Sequence, residues 1–305
     1  MTIIAGFKVH GGIVLCADTQ ETVGNVSKRN VPKLRFEGIP PVGTTLSGSE
    51  LAVSFCGATD NGAFVDKLVD SAWIAARGED SVDNVCAAIE RSIKETYREF
   101  GEIYQTGYCP VAELIYGVKV KDKSRLFAAT GPLINEKDDY CTGGVGAYMA
   151  DFLAERMYDI TLSIQQCVIL AAYILVQAKE HVDGCGGTSH IAILRGNSPS
   201  GIVDTDRIAL ITDNLRNSDR NLGRLLLQSS DLDLSDEQFR KEATEAIDRL
   251  DIFRVEQRKD FKSWKQFKKT IHSFFGIDTP VDSFGIFNED ADTGKDSGTK
   301  RRADK

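Results

Sequence analysis

The chain has no apolar run of the ~18–20 residues that a membrane helix needs. The longest, Val168 to Val176, is interrupted by Tyr173 and flanked by glutamines. It has only four histidines, far apart at 10, 181, 190 and 272, and no Cys-x-x-Cys pair, so neither a zinc ribbon nor a His-rich metal site is legible. No Gly-x-Ser-x-Gly elbow and no Gly-Lys-Ser/Thr phosphate loop occurs. Gly144-Val145-Gly146 lacks the third glycine of a dinucleotide loop, Met149 standing in its place. Excess positive charge is also missing. Thirty-seven basic side chains face 45 acidic ones, a net charge of -8, which argues against a surface built to neutralise phosphates. An odd set of seven cysteines, widely spaced and mostly inside apolar runs, reads as reduced core thiols and not as a disulfide framework, and points to the cytoplasm. The N-terminal residues show no basic, apolar and small-residue succession of a secretory signal, so residue 2 is expected near the true start.

At 305 residues, 42% hydrophobic and 27% charged, the chain has the composition of a folded globular protein of one large or two ordinary domains. Thr2 to His10 alternates as a strand, His10-Gly11-Gly12 turns, and Ile13 to Asp18 resumes, predicting an opening β-hairpin. Val31 to Phe36 and Leu51 to Cys56 read as two further strands. Phe64, Leu68, Ala72 and Ala76 then mark a helix face, and Val82 to Phe100 a second helix. Strands return at Ala112 to Val120 and Arg125 to Ala129. Two more helices, from Tyr148 to Met157 and from Leu162 to Lys179, precede a strand at Ser189 to Leu194. Segregated strands and helix pairs describe an α+β protein, satisfied by two sheets between helix layers.

Ile208 to Thr212 is expected as a further strand, with long charged helices after it. Lys259, Lys262, Lys265, Lys268 and Lys269 alternate with Phe261, Trp264 and Phe267, which reads as an amphipathic docking helix in preference to a nucleic-acid surface. Asn288 to Lys305 has the composition of a disordered charged tail. The expected organisation is a domain over 1–212, a helical extension over 213–288 and a tail over 289–305.

The chemistry suggested by the sequence lies at its start. Thr2 follows the initiator methionine directly, and methionine removal would leave a hydroxyl and a free α-amine on one residue. An amine of unperturbed pKa ~7.7–8.0 is a suitable general base for that hydroxyl near neutral pH. Thr2-Ile3-Ile4-Ala5-Gly6-Phe7, then His10-Gly11-Gly12 and a second strand ending Ala17-Asp18, then Thr22-Val23-Gly24, resembles the opening of proteasome β subunits and of their bacterial two-tier peptidase relatives, which are N-terminal-nucleophile (Ntn) hydrolases. The resemblance continues more loosely through Val31-Pro32-Lys33-Leu34, Phe55-Cys56-Gly57-Ala58-Thr59 and Cys185-Gly186-Gly187-Thr188-Ser189.

The resemblance implies a four-layer αββα sandwich acting as a threonine-type peptidase that needs neither metal nor cofactor. By it Thr2 is the nucleophile, Asp18 the carboxylate that holds Lys33, Lys33 the cation that lowers the pKa of the amine, and Gly57 the N–H donor to the oxyanion. Asp183 matches a supporting carboxylate displaced by one position. Thr22 and Gly24 would line a cleft where an extended peptide adds as a strand, and Glu21 would favour a basic side chain before the cut. A peptide or unfolded-protein substrate, a homo-oligomeric ring and an ATP-dependent unfoldase are the implied partners.

Two departures stand out. Where the family has a serine near the amine, Gly144 or Val145 stands, and Cys185 replaces a second serine. They leave two rivals open: a catalytically silent structural or binding subunit, and a small-molecule amidohydrolase. Taken singly, the residues have plainer readings. Asp18 could end a strand, Lys33 could be a solvated edge charge, Gly57 could ease entry to a helix, and His190 reads as a core histidine.

Overall fold

The computed structural model describes residues 2–23, 27–39, 51–59, 61–103, 110–196, 200–231 and 233–274. Of residues 22, 23, 27, 39, 256 and 258–274 it describes the backbone alone. The expected tail and the Lys/aromatic side chains from Lys259 to Lys269 therefore lie outside the described residues, as does Gly24.

β1 (Ile4–Val9) and β2 (Gly12–Asp18) form the expected hairpin, in register from Ile4 opposite Ala17 to Val9 opposite Gly12. β3 (Gln20–Val23) and β4 (Ser27–Asn30) make a separate two-stranded ribbon in a stretch whose polar sequence gives no strand signal. β5 (Leu34–Ile39), β6 (Leu51–Ala58), β7 (Glu113–Val120), β8 (Lys123–Thr130) and β9 (Leu133–Lys137) form a five-stranded antiparallel sheet in sequence order. The other five-stranded sheet runs β10-β1-β2-β11-β12, where β10 is Tyr140–Gly143, β11 is Ser189–Arg195 and β12 is Gly201–Ile202. The molecule is an α+β sandwich.

Three apolar clusters follow from the alternation of these strands. Ile4, Ile13, Leu15 and Ala17 on one sheet meet Leu34, Ala52, Cys56, Ile115 and Leu126 on the other. The opposite residues of β6 and β7, among them Val53, Phe55, Leu114 and Tyr116, pack against α1 (Gly62–Ala76) and α2 (Val82–Ile103). Ile3, Ala5, Phe7, Val14 and Cys16 pack against α3 (Ala147–Met157) and α4 (Ile164–His181). Each fully buried Leu, Ile or Phe in such clusters contributes ~1.5–3 kcal/mol.

α4 is apolar nearly all round because it is covered on both sides. One side faces β1 and β2, and the other meets α5 (Thr205–Gln228). A capping box starts it: Ser163 Oγ accepts from Gln166 N at 3.2 Å, and Gln166 Oε1 accepts from Ser163 N at 2.9 Å.

The strand expected at Ile208 to Thr212 is instead the first part of α5. Asp204 caps that helix by accepting from Asp206 N and Arg207 N, and Ile208 and Ile211 turn together into the core beneath it. α5 thus runs through residue 212, the expected limit of the first domain, and its later turns are held to α4 by Asp219, which accepts from Tyr173 Oη at 3.1 Å and Gln177 Nε2 at 2.9 Å. α6 (Asp236–Phe274) packs along α5, and Phe253 reaches the same core as α4. No helix among the described residues is long and apolar enough to cross a membrane.

Candidate active site

Asp18 closes β2 and is wholly buried at the edge where the two sheets and the β3–β4 ribbon meet. Four donors converge on it. Thr2 Oγ1 donates to Oδ1 in a short bond, Ile3 N reaches the same oxygen at 3.3 Å, Lys33 Nζ reaches it at 2.8 Å, and Gly186 N donates to Oδ2 at 2.8 Å. An ionised carboxylate can accept all four. Thr2 hydroxyl and Lys33 ammonium share one oxygen, so they are separated by no more than two hydrogen bonds laid end to end.

Lys33 is held on its other side by the carbonyl of Gln20, to which Nζ also donates. Its side chain is 10% exposed. Burial lowers its pKa from the ordinary lysine value, and the Asp18 carboxylate works in the opposite direction.

Thr2 itself is 2% exposed. Its carbonyl accepts from Gly146 N at 3.1 Å, and Gly144 lies directly against it. Gly144 has φ +81, and a Cβ there would come within 2.4 Å of Thr2 O, so no side chain fits between that loop and Thr2. The approach accounts for a glycine at 144, whereas Val145, the other position at which a serine was expected, is 42% exposed. Glu113, at the start of β7 in the opposite sheet, accepts from Gly144 N at 2.5 Å and pins the loop. Nothing in the sequence singles Glu113 out, because it is one acidic residue among 45 and its partner is a backbone N–H. Gly186 was missed for the same reason, although it falls within the noted Cys185-Gly186-Gly187 run.

The other expected site residues are placed differently. Gly57 lies inside β6, and its N–H donates to Lys33 O at 3.0 Å, closing a sheet bond in the position where an oxyanion donor was expected. A Cβ on Gly57 would stand 2.5 Å from Val65 Cγ1, so this glycine lets α1 pack against the sheet. Asp183 is exposed in the turn after α4, and the group from that turn which reaches Asp18 is the Gly186 N–H. Glu21 is bound by Arg29 across the β3–β4 ribbon, and Thr22 pairs with Lys28 in the same ribbon. Cys185, 6% exposed, stands next to Gly146, and burial followed by the Asp18 charge pushes its thiol up to about 12, making it a poor nucleophile at neutral pH. Among the described residues no group of three His, Cys, Asp or Glu is placed to hold a metal ion.

The architecture is found in solved structures. Anbu, named as an ancestral β-subunit, from Yersinia bercovieri superposes with a TM-score of 0.60 at 15% identity, over 77% of this chain and 99% of that one. The fold is that of Anbu. A Gly-1 mutant of Anbu from Hyphomicrobium sp. strain MC1 gives 0.58 at 13% identity, over 77% of this chain and 100% of that one. The Anbu complex from Pseudomonas aeruginosa, solved as a helical assembly, gives 0.61 at 13% identity, over 74% and 96%. No family model and no curated protein matches the chain.

These structures correct the resemblance drawn from sequence. The motifs of the first strands resemble proteasome β subunits and two-tier bacterial peptidases, whereas the structural neighbours are Anbu, at an identity that carries the fold alone. The likeness is one of fold, and it assigns no family and no activity to the chain.

Proposed function

We propose that this protein is a threonine-type hydrolase of peptide bonds, with Thr2 as nucleophile once Met1 is removed. One observation carries the reading: the Thr2 hydroxyl and the Lys33 ammonium meet on one oxygen of the buried Asp18. Thr2 Oγ attacks the carbonyl carbon of an extended peptide while its proton passes to the freed α-amine. The tetrahedral adduct collapses to an ester on Thr2, and the departing amine takes the proton. Water, deprotonated by the Thr2 α-amine, then attacks the ester, and the acid is released as Thr2 Oγ takes that proton back. Lys33 lowers the pKa of the amine by placing a positive charge beside it, which leaves the amine unprotonated and free to accept the proton, and Asp18 holds Lys33 charged and in place.

In this reading the three apolar clusters correspond to four αββα layers, the chain works in the cytoplasm where its buried thiols stay reduced, and copies of it assemble with one another. A heterologous interface closes into a ring when its rotation closes, and otherwise continues as a helix. The helical assembly of the Pseudomonas Anbu complex makes the open form a real alternative to the ring for this chain. An ATP-dependent unfoldase would deliver folded substrates, and without one the substrate is a peptide or an unfolded chain.

A second reading has its own observation. The Gly57 N–H is spent in the sheet and Gly144 offers no hydroxyl, which favours an assembly subunit that keeps the fold without hydrolysis. Intact mass spectrometry before and after exposure to a peptide epoxyketone separates the two, since the adduct needs both the hydroxyl and the free amine of one threonine. The expected result is loss of one methionine and a stoichiometric adduct that is absent from Thr2→Ala. Retained Met1, or no adduct across several peptide sequences, overturns the hydrolase and leaves the silent subunit.

A further inference from the structure

β2 and β11 run antiparallel from Asp18 opposite Ser189 to Gly12 opposite Arg195. The Thr2 cluster occupies the first end. The second end, ~20 Å away at ~3.4 Å per residue, carries a charge that the hydrolase reading does not use. Arg195 is 8% exposed, and its Nε and Nη1 are buried with no hydrogen-bond partner. Its backbone is fixed, because Arg195 N donates to Ser200 Oγ at 3.0 Å and the following Gly196 N to Gly11 O at 3.1 Å. A guanidinium carries five donors in a rigid planar fork, and a buried cation left without acceptors is costly.

A second cation lies near it. Arg207 stands in the first turn of α5, which packs on β11. Burial, and then the like charge of Arg207, hold Arg195 down to about 10. Asp204, the acidic residue at the start of that helix, spends Oδ1 on the N–H groups of Asp206 and Arg207 at 2.9 and 3.2 Å. None of the ion pairs among the described residues includes Arg195.

We propose that Arg195 is the core of a small oxyanion site, with Arg207 as its second cation, at the end of the sandwich remote from Thr2. The ligand class is a carboxylate or a phosphate, which share the paired oxygens that match a guanidinium fork. The site is independent of the peptidase reading and stands if that reading fails.

Thermal unfolding of the full chain tests it, with inorganic phosphate or acetate titrated against chloride at constant ionic strength. Ligand that binds only the folded state raises the midpoint with the logarithm of its concentration above Kd. Phosphate also stabilises proteins generally by exclusion from their surface, so the variants decide. The expected result is a rise in wild type that Arg195→Met abolishes, with an unliganded midpoint for that variant no lower than wild type because a buried unpaired charge has gone. Arg207→Met, on the rim, should fold normally and weaken binding about tenfold. A response to acetate assigns a carboxylate, and a response to phosphate alone assigns a phosphate. No response to either ion, or the same rise in wild type and Arg195→Met, overturns the site. So does a midpoint that depends on protein concentration and not on ion, which would mean that a carboxylate of a second copy fills it.

Discussion

Replacing Asp18 by asparagine keeps the shape of the side chain and removes its charge. The consequences follow from the four donors around it. One oxygen becomes an NH2 group, so either Gly186 N–H or the Thr2, Ile3 and Lys33 trio faces a donor instead of an acceptor. Lys33, with 10% of its side chain exposed, loses the carboxylate that balances its charge. Breaking a buried pair from one side costs about 3–5 kcal/mol, a large part of a folding free energy of about 5–15 kcal/mol. Lys33→Met leaves Asp18 with its three other donors and should cost less, about 1–3 kcal/mol. The double variant removes both charges together, so it should be more stable than the sum of the singles predicts by about 2 kcal/mol or more. Urea denaturation at pH 7 reads these values directly. With a slope near 3 kcal/mol/M for a chain of this size, Asp18→Asn should lower the midpoint by about 1–2 M. A midpoint within about 0.3 M of wild type, or singles that add to within about 0.5 kcal/mol, would refute the account of a charge-balanced buried cluster.

Gly144→Ala places a Cβ 2.4 Å from Thr2 O at φ +81, which combines left-handed strain with overpacking. A cost of about 2–4 kcal/mol in urea is expected, with loss of the epoxyketone adduct because Thr2 must move. Adduct formation at the wild-type rate would show that the loop does not position Thr2. The buried thiols give a pH signature. Cys16, Cys141 and Cys185 are each raised to about 12 from 9.0, mainly by burial, so the native state binds more protons than the unfolded state above pH 9. Their contribution is complete below pH 9 and lost as pH rises toward 12. Between pH 8 and pH 10 the three together should remove about 4 kcal/mol. Urea midpoints that stay level through pH 10 would contradict the burial of these thiols.

The opening hairpin and helices α1 to α4 were legible because long periodic segments bury one face, and of α5 and α6 only the later helical stretches were. The exceptions have physical causes. Ile208-Ala209-Leu210-Ile211-Thr212 has a strand's composition, but Asp204 supplies a cap and Ile208 and Ile211 supply a helical stripe, and the packing against β11 decides. The short strands β3, β4, β9 and β10 carry polar, partly exposed residues without clean alternation, so only their partners reveal them. Asp18 and Lys33 could be placed together from their motif, whereas the engagement of the Gly57 N–H with Lys33 O depends on the β5–β6 register, which no local pattern specifies. Glu113 and Gly186 act through backbone bonds formed between distant strands, and side-chain chemistry gives no warning of them.

The bond from Gly186 N to Asp18 spans 168 residues. Its length sets an order of events during synthesis. Thr2 leaves the ribosome long before Gly186, so the carboxylate to which it donates lacks one of its donors until the turn after α4 has been made and β11 has docked on β2. A chain stopped before residue 186 has Thr2, Asp18 and Lys33 and still has no finished cluster. Closure of so long a loop is also slow. Synthesis of Thr2 and assembly of its surroundings are therefore separate steps, and the second waits for nearly two thirds of the polypeptide.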